Sequence, residues 1–174
     1  AFDIVFSEED KQNPQDLLLK LQKESDQLIS ANVLNTNKIF IDSISKSKVI
    51  LPVLGEPNDN FVENNSKPKL KIITKGENAK NFLYSYKNKI ISLEEINNAA
   101  SGIGAISLIP NIDGIIRNIP LLYNIDNQIW PSLALEAIRI ATNQKNLLVQ
   151  SDKSGISVIK TRKDVFPGDQ NGII

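Results

Sequence analysis

The chain has 174 residues, hydrophobic residues make up 41% of it and its formal charges sum to zero, values that are ordinary for one globular domain. The zero net charge argues against a nucleic-acid partner, which selects a strongly basic face. Histidine and cysteine are absent, which excludes disulfides, Ser-His and Cys-His nucleophiles and zinc sites of the usual nitrogen and sulfur type. We therefore expect no cofactor and no metal, and we treat residues 1–174 as a single domain.

The first half of the chain alternates strand patterns with helix-start signals. Residues 13–16 combine an N-cap Asn, a first-turn Pro and an acidic residue, which predicts the start of a helix. Residues 55–68 are rich in Pro, Asn, Asp and Ser, which predicts a loop. Residues 77–88 fit either a helix or irregular structure. The remaining predicted elements are strands at 2–6, 49–54 and 70–74 and helices at 35–46 and 92–100.

The second half of the chain begins with a strand and turn pattern. Residues 103–109 alternate as a strand, residues 115–123 are predicted as a second strand, and the Asp-Gly pair between them supplies the positive φ of a tight turn. Together they predict an antiparallel hairpin at about 103–125. A helix that is apolar on nearly all sides follows at 131–142, and we expect it to be largely buried. Further short strands are predicted at 147–150, 155–160 and 173–174.

The interleaving of strands and helices predicts an α/β fold, with α+β as the alternative. We expect one mixed β-sheet flanked by helices, because the predicted hairpin at 103–125 argues against an all-parallel sheet. The sequence contains no run of about 18 apolar residues, so no membrane span is predicted within it.

Arg117 is a candidate functional residue because the chain uses Lys heavily and places Arg only at 117, 139 and 162. The planar guanidinium fork suits a bidentate carboxylate, and Asp3 and Glu8 are the partners that we expect. A structural ion pair that pins the hairpin to the sheet is the favoured interpretation, and contact with an anionic ligand is the alternative. In the structural case, Arg117→Lys destabilises the fold.

Other candidates are an aromatic residue and acidic groups near predicted strand ends. Trp130, the single Trp, fits a core aromatic that packs on the following helix, and the alternative is the wall of a ligand pocket. Asp3, Glu8 and Asp113 fit capping, turn formation and solvation better than acid–base chemistry. Ser7, between the first strand and Glu8, completes the set of ligand-binding or structural candidates.

Four segments, in order along the chain, resemble the second CHASE family of sensory domains. They are residues 2–10 (FDIVFSEED), 110–121 (PNIDGIIRNIPL), 130–134 (WPSLA) and 166–172 (FPGDQNG). The second segment is similar to the Asp-x-Asp-Gly-x-x-Arg-x-x-Pro pattern of that family, and the third to its Pro-Ser-Leu-Ala helix start. The family also has an earlier strand and helix, so the resemblance implies that residues 1–174 are a fragment that lacks them.

The resemblance implies the extracytoplasmic, signal-input part of a bacterial inner-membrane receptor, itself non-catalytic. It further implies membrane helices flanking the domain, a small-molecule or environmental signal, a homodimeric receptor, and an output domain that is a cyclase, a histidine kinase or a serine/threonine kinase. We expect an adenylate or guanylate cyclase. The alternatives are a dimerisation module of a sensor kinase without its own ligand, and a small carboxylate-dependent α/β enzyme.

Overall fold

The computed structural model describes residues 4–25, 35–57, 65–108 and 110–168. Four α-helices lie in these residues: α1 (Pro14–Ser25), α2 (Thr36–Ser45), α3 (Glu94–Ala99) and α4 (Leu133–Ala141). The strands there are β1 (Ile50–Glu56), β2 (Lys71–Gly76), β3 (Ser85–Tyr86), β4 (Asn88–Ile91), β5 (Gly102–Ala105), β6 (Leu122–Ile125), β7 (Gln128–Pro131), β8 (Asn146–Asp152), β9 (Gly155–Lys160) and β10 (Val165–Pro167).

The mixed α/β class is confirmed, but the described strands form three small sheets where one was expected. Their strand orders are β4-β1-β5, β10-β9-β8-β2 and β3-β6-β7. Each sheet joins parallel and antiparallel pairs: β1 is parallel to β5 and antiparallel to β4, and β8 is parallel to β2 and antiparallel to β9. The described strands pair in three separate groups, and no ladder between named strands joins one group to another.

Two of these sheets are linked at both sides into a ring. β3 and β4 are one run of chain that leaves its partner β6 at Lys87 and then pairs with β1. On the other side, a parallel bridge between Ala105 and Ser132 joins β5 to the residue after β7. The strands of the ring share one core cluster: Val53, Ile91, Ile103, Ala105, Tyr123, Ile125 and Trp130, with Tyr84 and Tyr86 packed against it.

The expected hairpin at 103–125 is wrong, and the antiparallel hairpin is instead β6–β7. Its two-residue turn, Asp126-Asn127, has φ of 53° at both positions, as a type I′ turn requires. The Asp-Gly turn does form, because Gly114 has φ of 77° and its N–H donates to the Asn111 carbonyl. No strand flanks that turn in the described residues. Pro110 and Pro120 bracket it and cannot donate to a strand ladder.

Helix α4 packs on β5 and bounds the ring. Ser132 caps it, since its Oγ accepts the Leu135 N–H at 3.2 Å. Leu135 is buried, whereas Ile138 is 39% exposed, so the helix buries one face only. No α-helix in the described ranges combines the length and hydropathy that crossing a bilayer requires. The predicted strands at 2–6 and 173–174 fall partly or wholly outside the described residues, and residues 4–6 do not form a strand.

Candidate functional site

A groove of about 780 Å³ opens between three pieces of chain that are far apart in sequence. They are the N-terminal segment (residues 4–10), helix α2 and the start of helix α3. Two backbone hydrogen bonds attach the N-terminal segment beside the groove. The Phe6 N–H donates to Ser92 Oγ at 3.0 Å, and the Phe6 carbonyl accepts the Leu93 N–H at 2.8 Å.

The floor of the groove is apolar. Phe6 and Phe40 meet edge to face, with ring centroids 5.1 Å apart and ring planes at 62°. Phe40 lies on α2, where it is 37% exposed. Ile41, Leu93 and Ile96 complete the floor. Ile96 also belongs to a core cluster with Ile44, Leu51 and Ala100, against which the other floor side chains pack, so the floor rests on packed side chains.

The rim of the groove is acidic. The five carboxylates that line it are Glu8, Glu9, Asp10, Glu94 and Glu95, and no Lys or Arg lines it within the described ranges. Glu8 is paired with Lys11 at 2.7 Å, and this pair lowers the pKa of Glu8. Asp10 accepts hydrogen bonds from the Gln12 N–H and the Thr36 hydroxyl. The carboxylates of Glu9, Glu94 and Glu95 make no hydrogen bond or ion pair with another described residue.

A smaller cavity of about 500 Å³ adjoins the groove along α2. The two share Glu9, Asn37, Ile41 and Glu95, so they form one continuous depression. Lys38 is the single cation that lines the smaller cavity among described residues. Among the described residues, no three acidic side chains lie close enough together to hold a metal ion.

The loop at 110–120 places Asp113 and Arg117 together, away from the groove. Two guanidinium nitrogens of Arg117 contact the two carboxylate oxygens of Asp113, at 2.9 and 2.7 Å. This pair lowers the pKa of Asp113, and both side chains are about half exposed. The bidentate fork was expected, but Glu8 as the partner of Arg117 is wrong, because a local i,i+4 pair forms without bringing the loop to the sheet. Asp3, the other expected partner, lies outside the described residues.

The remaining sequence candidates divide between the groove and the core. Glu8 lines the groove, and Ser7 is the exposed residue immediately before it. Trp130 has no exposed surface, and its indole N–H donates to the Ile125 carbonyl at 3.2 Å within the ring core. The structure therefore brings Ser7 and Glu8 to one surface and places Asp113, Arg117 and Trp130 elsewhere.

Sequence reasoning missed the contributions of α2 and α3 to the groove. Phe40 fits the buried face of a helix, and Glu94 and Glu95 fit a helix start, so each has a local explanation. The one available signal was the recurrence of consecutive acids, three at 8–10 and two at 94–95, each run within two residues of an apolar side chain that reaches the floor. Their proximity depends on contacts between residues more than 80 positions apart.

Comparison with family models gives a match over nearly the whole chain. The family model described as the CHASE2 domain matches residues 1–173, which confirms the resemblance carried by the four sequence segments. Domains of this family are extracellular sensory domains of bacterial signalling proteins. The comparison with curated proteins and the comparison with solved structures each gave no match.

Proposed function

Because this chain belongs to the CHASE2 family, we propose that it is the signal-input domain of a bacterial transmembrane receptor and that its signal binds in the groove between the N-terminal segment, α2 and α3. The observation that carries the ligand site is the groove itself. Its volume of about 780 Å³ lies within the range of small-molecule sites, and it combines an apolar floor with a polar rim, as such sites do.

The construction of the groove supports a role in signalling. A ligand in it touches the N-terminal segment on one side and two helices on the other. The segment is attached there by the backbone hydrogen bonds of Phe6, so a bound ligand adds contacts that favour its docked position. A ligand shifts such an equilibrium only by its differential affinity for the two states, about 1.4 kcal/mol for each tenfold change in population.

The finer assignment is an adenylate or guanylate cyclase receptor. In this proposal, membrane helices flank the domain, the receptor is a homodimer, and the domain faces the periplasm or the outside of the cell. Displacement of the N-terminal segment relative to the helices is the output that reaches the membrane.

Labelling of an introduced cysteine tests the location. This chain contains no Cys, so Glu77→Cys, at an exposed position that does not line the groove, gives the domain one reactive thiol. The full-length protein, with any cysteines elsewhere replaced by Ser, is treated with a membrane-impermeant maleimide in intact spheroplasts. We expect full labelling before lysis. Labelling that appears only after the membrane is opened contradicts the proposal.

The output is tested on membranes that carry the full-length protein. Formation of cyclic AMP or cyclic GMP from the nucleoside triphosphate supports the cyclase assignment. Protein phosphorylation without cyclic nucleotide formation contradicts that assignment.

A further inference from the structure

We propose that the ligand of the groove is an organic cation with an apolar body, of the class of amphiphilic amines. This inference rests on the proposed function, since it names the chemistry of the signal for that same site. Two independent features carry it: the sign of the charges on the rim and the apolar character of the floor.

The charge of the rim selects a cation. Five carboxylates line the groove although the whole chain has zero formal net charge, so the acidity is local. Glu9, Glu94 and Glu95 have no described partner that neutralises them. Of the cations nearby, Lys11 is paired with Glu8, and Lys69 donates to the backbone carbonyl of Asn98 without an ion pair to the rim carboxylates. An anionic ligand would be repelled by this rim, whereas a cation gains Coulomb energy and directs its charge to side chains that lack a partner.

The floor selects an organic cation over an inorganic one. Phe6 and Phe40 expose aromatic surface to the groove, and Ile41 and Leu93 extend it. Aliphatic or aromatic carbon buried there gains hydrophobic free energy, and an ammonium group near an aromatic face gains a cation–π contact. A bare metal ion gains nothing from this floor, and the acidic side chains in the described ranges form no metal-ligating cluster.

Three probes of the same shape test the charge preference. They are 4-phenylbutylammonium, 4-phenylbutanol and 4-phenylbutyrate, titrated calorimetrically into the 174-residue chain. We expect the ammonium to bind roughly tenfold more tightly than the alcohol, as several exposed ion pairs together provide, and the carboxylate to bind weakest. Raising the salt concentration weakens the ammonium only, since screening acts on the charge.

Charge-neutral variants locate the site. Glu94→Gln and Glu95→Gln each weaken binding of 4-phenylbutylammonium by about two- to fivefold and leave the alcohol unaffected, because each removes one exposed charge at nearly constant shape. Glu77→Gln is the matched control: an exposed carboxylate outside the groove, whose removal leaves all three affinities unchanged. Phe40→Ala weakens the ammonium and the alcohol alike.

Equal affinity for the three probes, tighter binding of the carboxylate, or an effect of Glu77→Gln as large as that of Glu95→Gln overturns the cation assignment. Absence of binding by all three probes to a chain that melts cooperatively overturns it as well. None of these results bears on the location of the domain, which the labelling of Glu77→Cys decides separately.

Discussion

Arg117 and Arg139 show how burial decides the energetic role of the same side chain. Arg117 forms its pair in an exposed loop. Arg139 is buried, and its guanidinium donates to both carboxylate oxygens of Glu136 at 2.7 Å and to the Gln144 carbonyl at 2.6 Å. Arg117 was a sequence candidate because Arg is scarce in this chain, a reason that applies equally to Arg139. The buried fork belongs to Arg139, which no motif marks.

We expect substitution of the two arginines to have different effects on stability. Arg139→Ala lowers the free energy of unfolding by about 3–5 kcal/mol, because it leaves the fully buried Glu136 carboxylate without a partner. Arg117→Ala leaves the free energy of unfolding unchanged, because solvent replaces its exposed ion pair. Urea denaturation of both variants measures the difference. Equal losses would show that the loop pair has a structural role that its exposure does not reveal.

Tyr123, in the ring core, makes the stability of the fold depend on pH in the alkaline range. Its hydroxyl donates to the Ser107 carbonyl at 2.6 Å, and burial raises its pKa far above the ordinary value, so the fold favours the neutral phenol. This stabilisation is fully present below about pH 10, where the unfolded phenol is also neutral, and is lost as the pH rises further.

Tyr123→Phe tests this linkage. The variant loses about 1–3 kcal/mol at pH 7, because the buried Ser107 carbonyl loses a donor. Above pH 10 its stability falls less steeply than that of the unmodified chain. Stability is measured by urea denaturation at intervals from pH 7 to pH 11, and parallel curves for the two proteins would contradict the assignment to Tyr123.

At the scale of elements, Gly104 sets the distance between β5 and α4. A Cβ at this position would lie 2.5 Å from Leu133 Cα and 2.8 Å from Leu133 N, both of which are backbone atoms that cannot turn aside. Gly104→Ala therefore lowers the free energy of unfolding by about 3 kcal/mol, at the upper end of overpacking costs. Gly114→Ala meets no atom within 4 Å and costs only its positive φ, about 1 kcal/mol. Thermal melts of the two variants give the order, and a milder effect at Gly104 would contradict the packing of α4 on β5.

The elements that were predicted correctly are those marked by capping residues or apolar runs within the element itself. The helix start at Pro14, the strands around 50, 147 and 155 and the helix after Ser132 all lie where capping residues and apolar runs indicated them. The strand predicted at 115–123 is wrong over 115–119, because the β-prone Ile115, Ile116 and Ile119 are exposed and Pro120 removes a donor where pairing would begin. The closed ring could not be predicted, because it depends on the pairing of Ala105 with Ser132 and on the change of partner at Lys87.

At the scale of the whole molecule, the absence of histidine removes the side chain that usually titrates near neutral pH. The lowered pKa values of Glu8 and Asp113 mean that their pairs persist above the ordinary carboxyl range and are lost only as the pH falls below it. We therefore expect the melting temperature to be constant between pH 6 and pH 8. Scanning calorimetry across this range checks the expectation, and a shift of many degrees would indicate a titrating group that the described residues do not explain.

The sequence predicted only part of the candidate site. Ser7 and Glu8 were candidates from their place after the first predicted strand; Glu8 lines the groove and Ser7 is the exposed residue beside it. The remainder of the groove comes from α2 and α3, whose residues lie more than 25 positions away from Glu8, so only the tertiary fold reveals that the acids share one rim over an apolar floor.

The claim that the groove couples ligand occupancy to signalling is tested most directly by filling it. Asn98 is exposed, lines the groove and has no described side-chain partner, so Asn98→Trp occupies the space without removing a contact. Lys153→Trp, in the exposed turn between β8 and β9, is the matched control. In membranes that carry the full-length receptor, we expect Asn98→Trp to shift the signalling output away from the wild-type level and Lys153→Trp to leave it unchanged. Wild-type output from Asn98→Trp, with an unaltered melting temperature, would contradict the account.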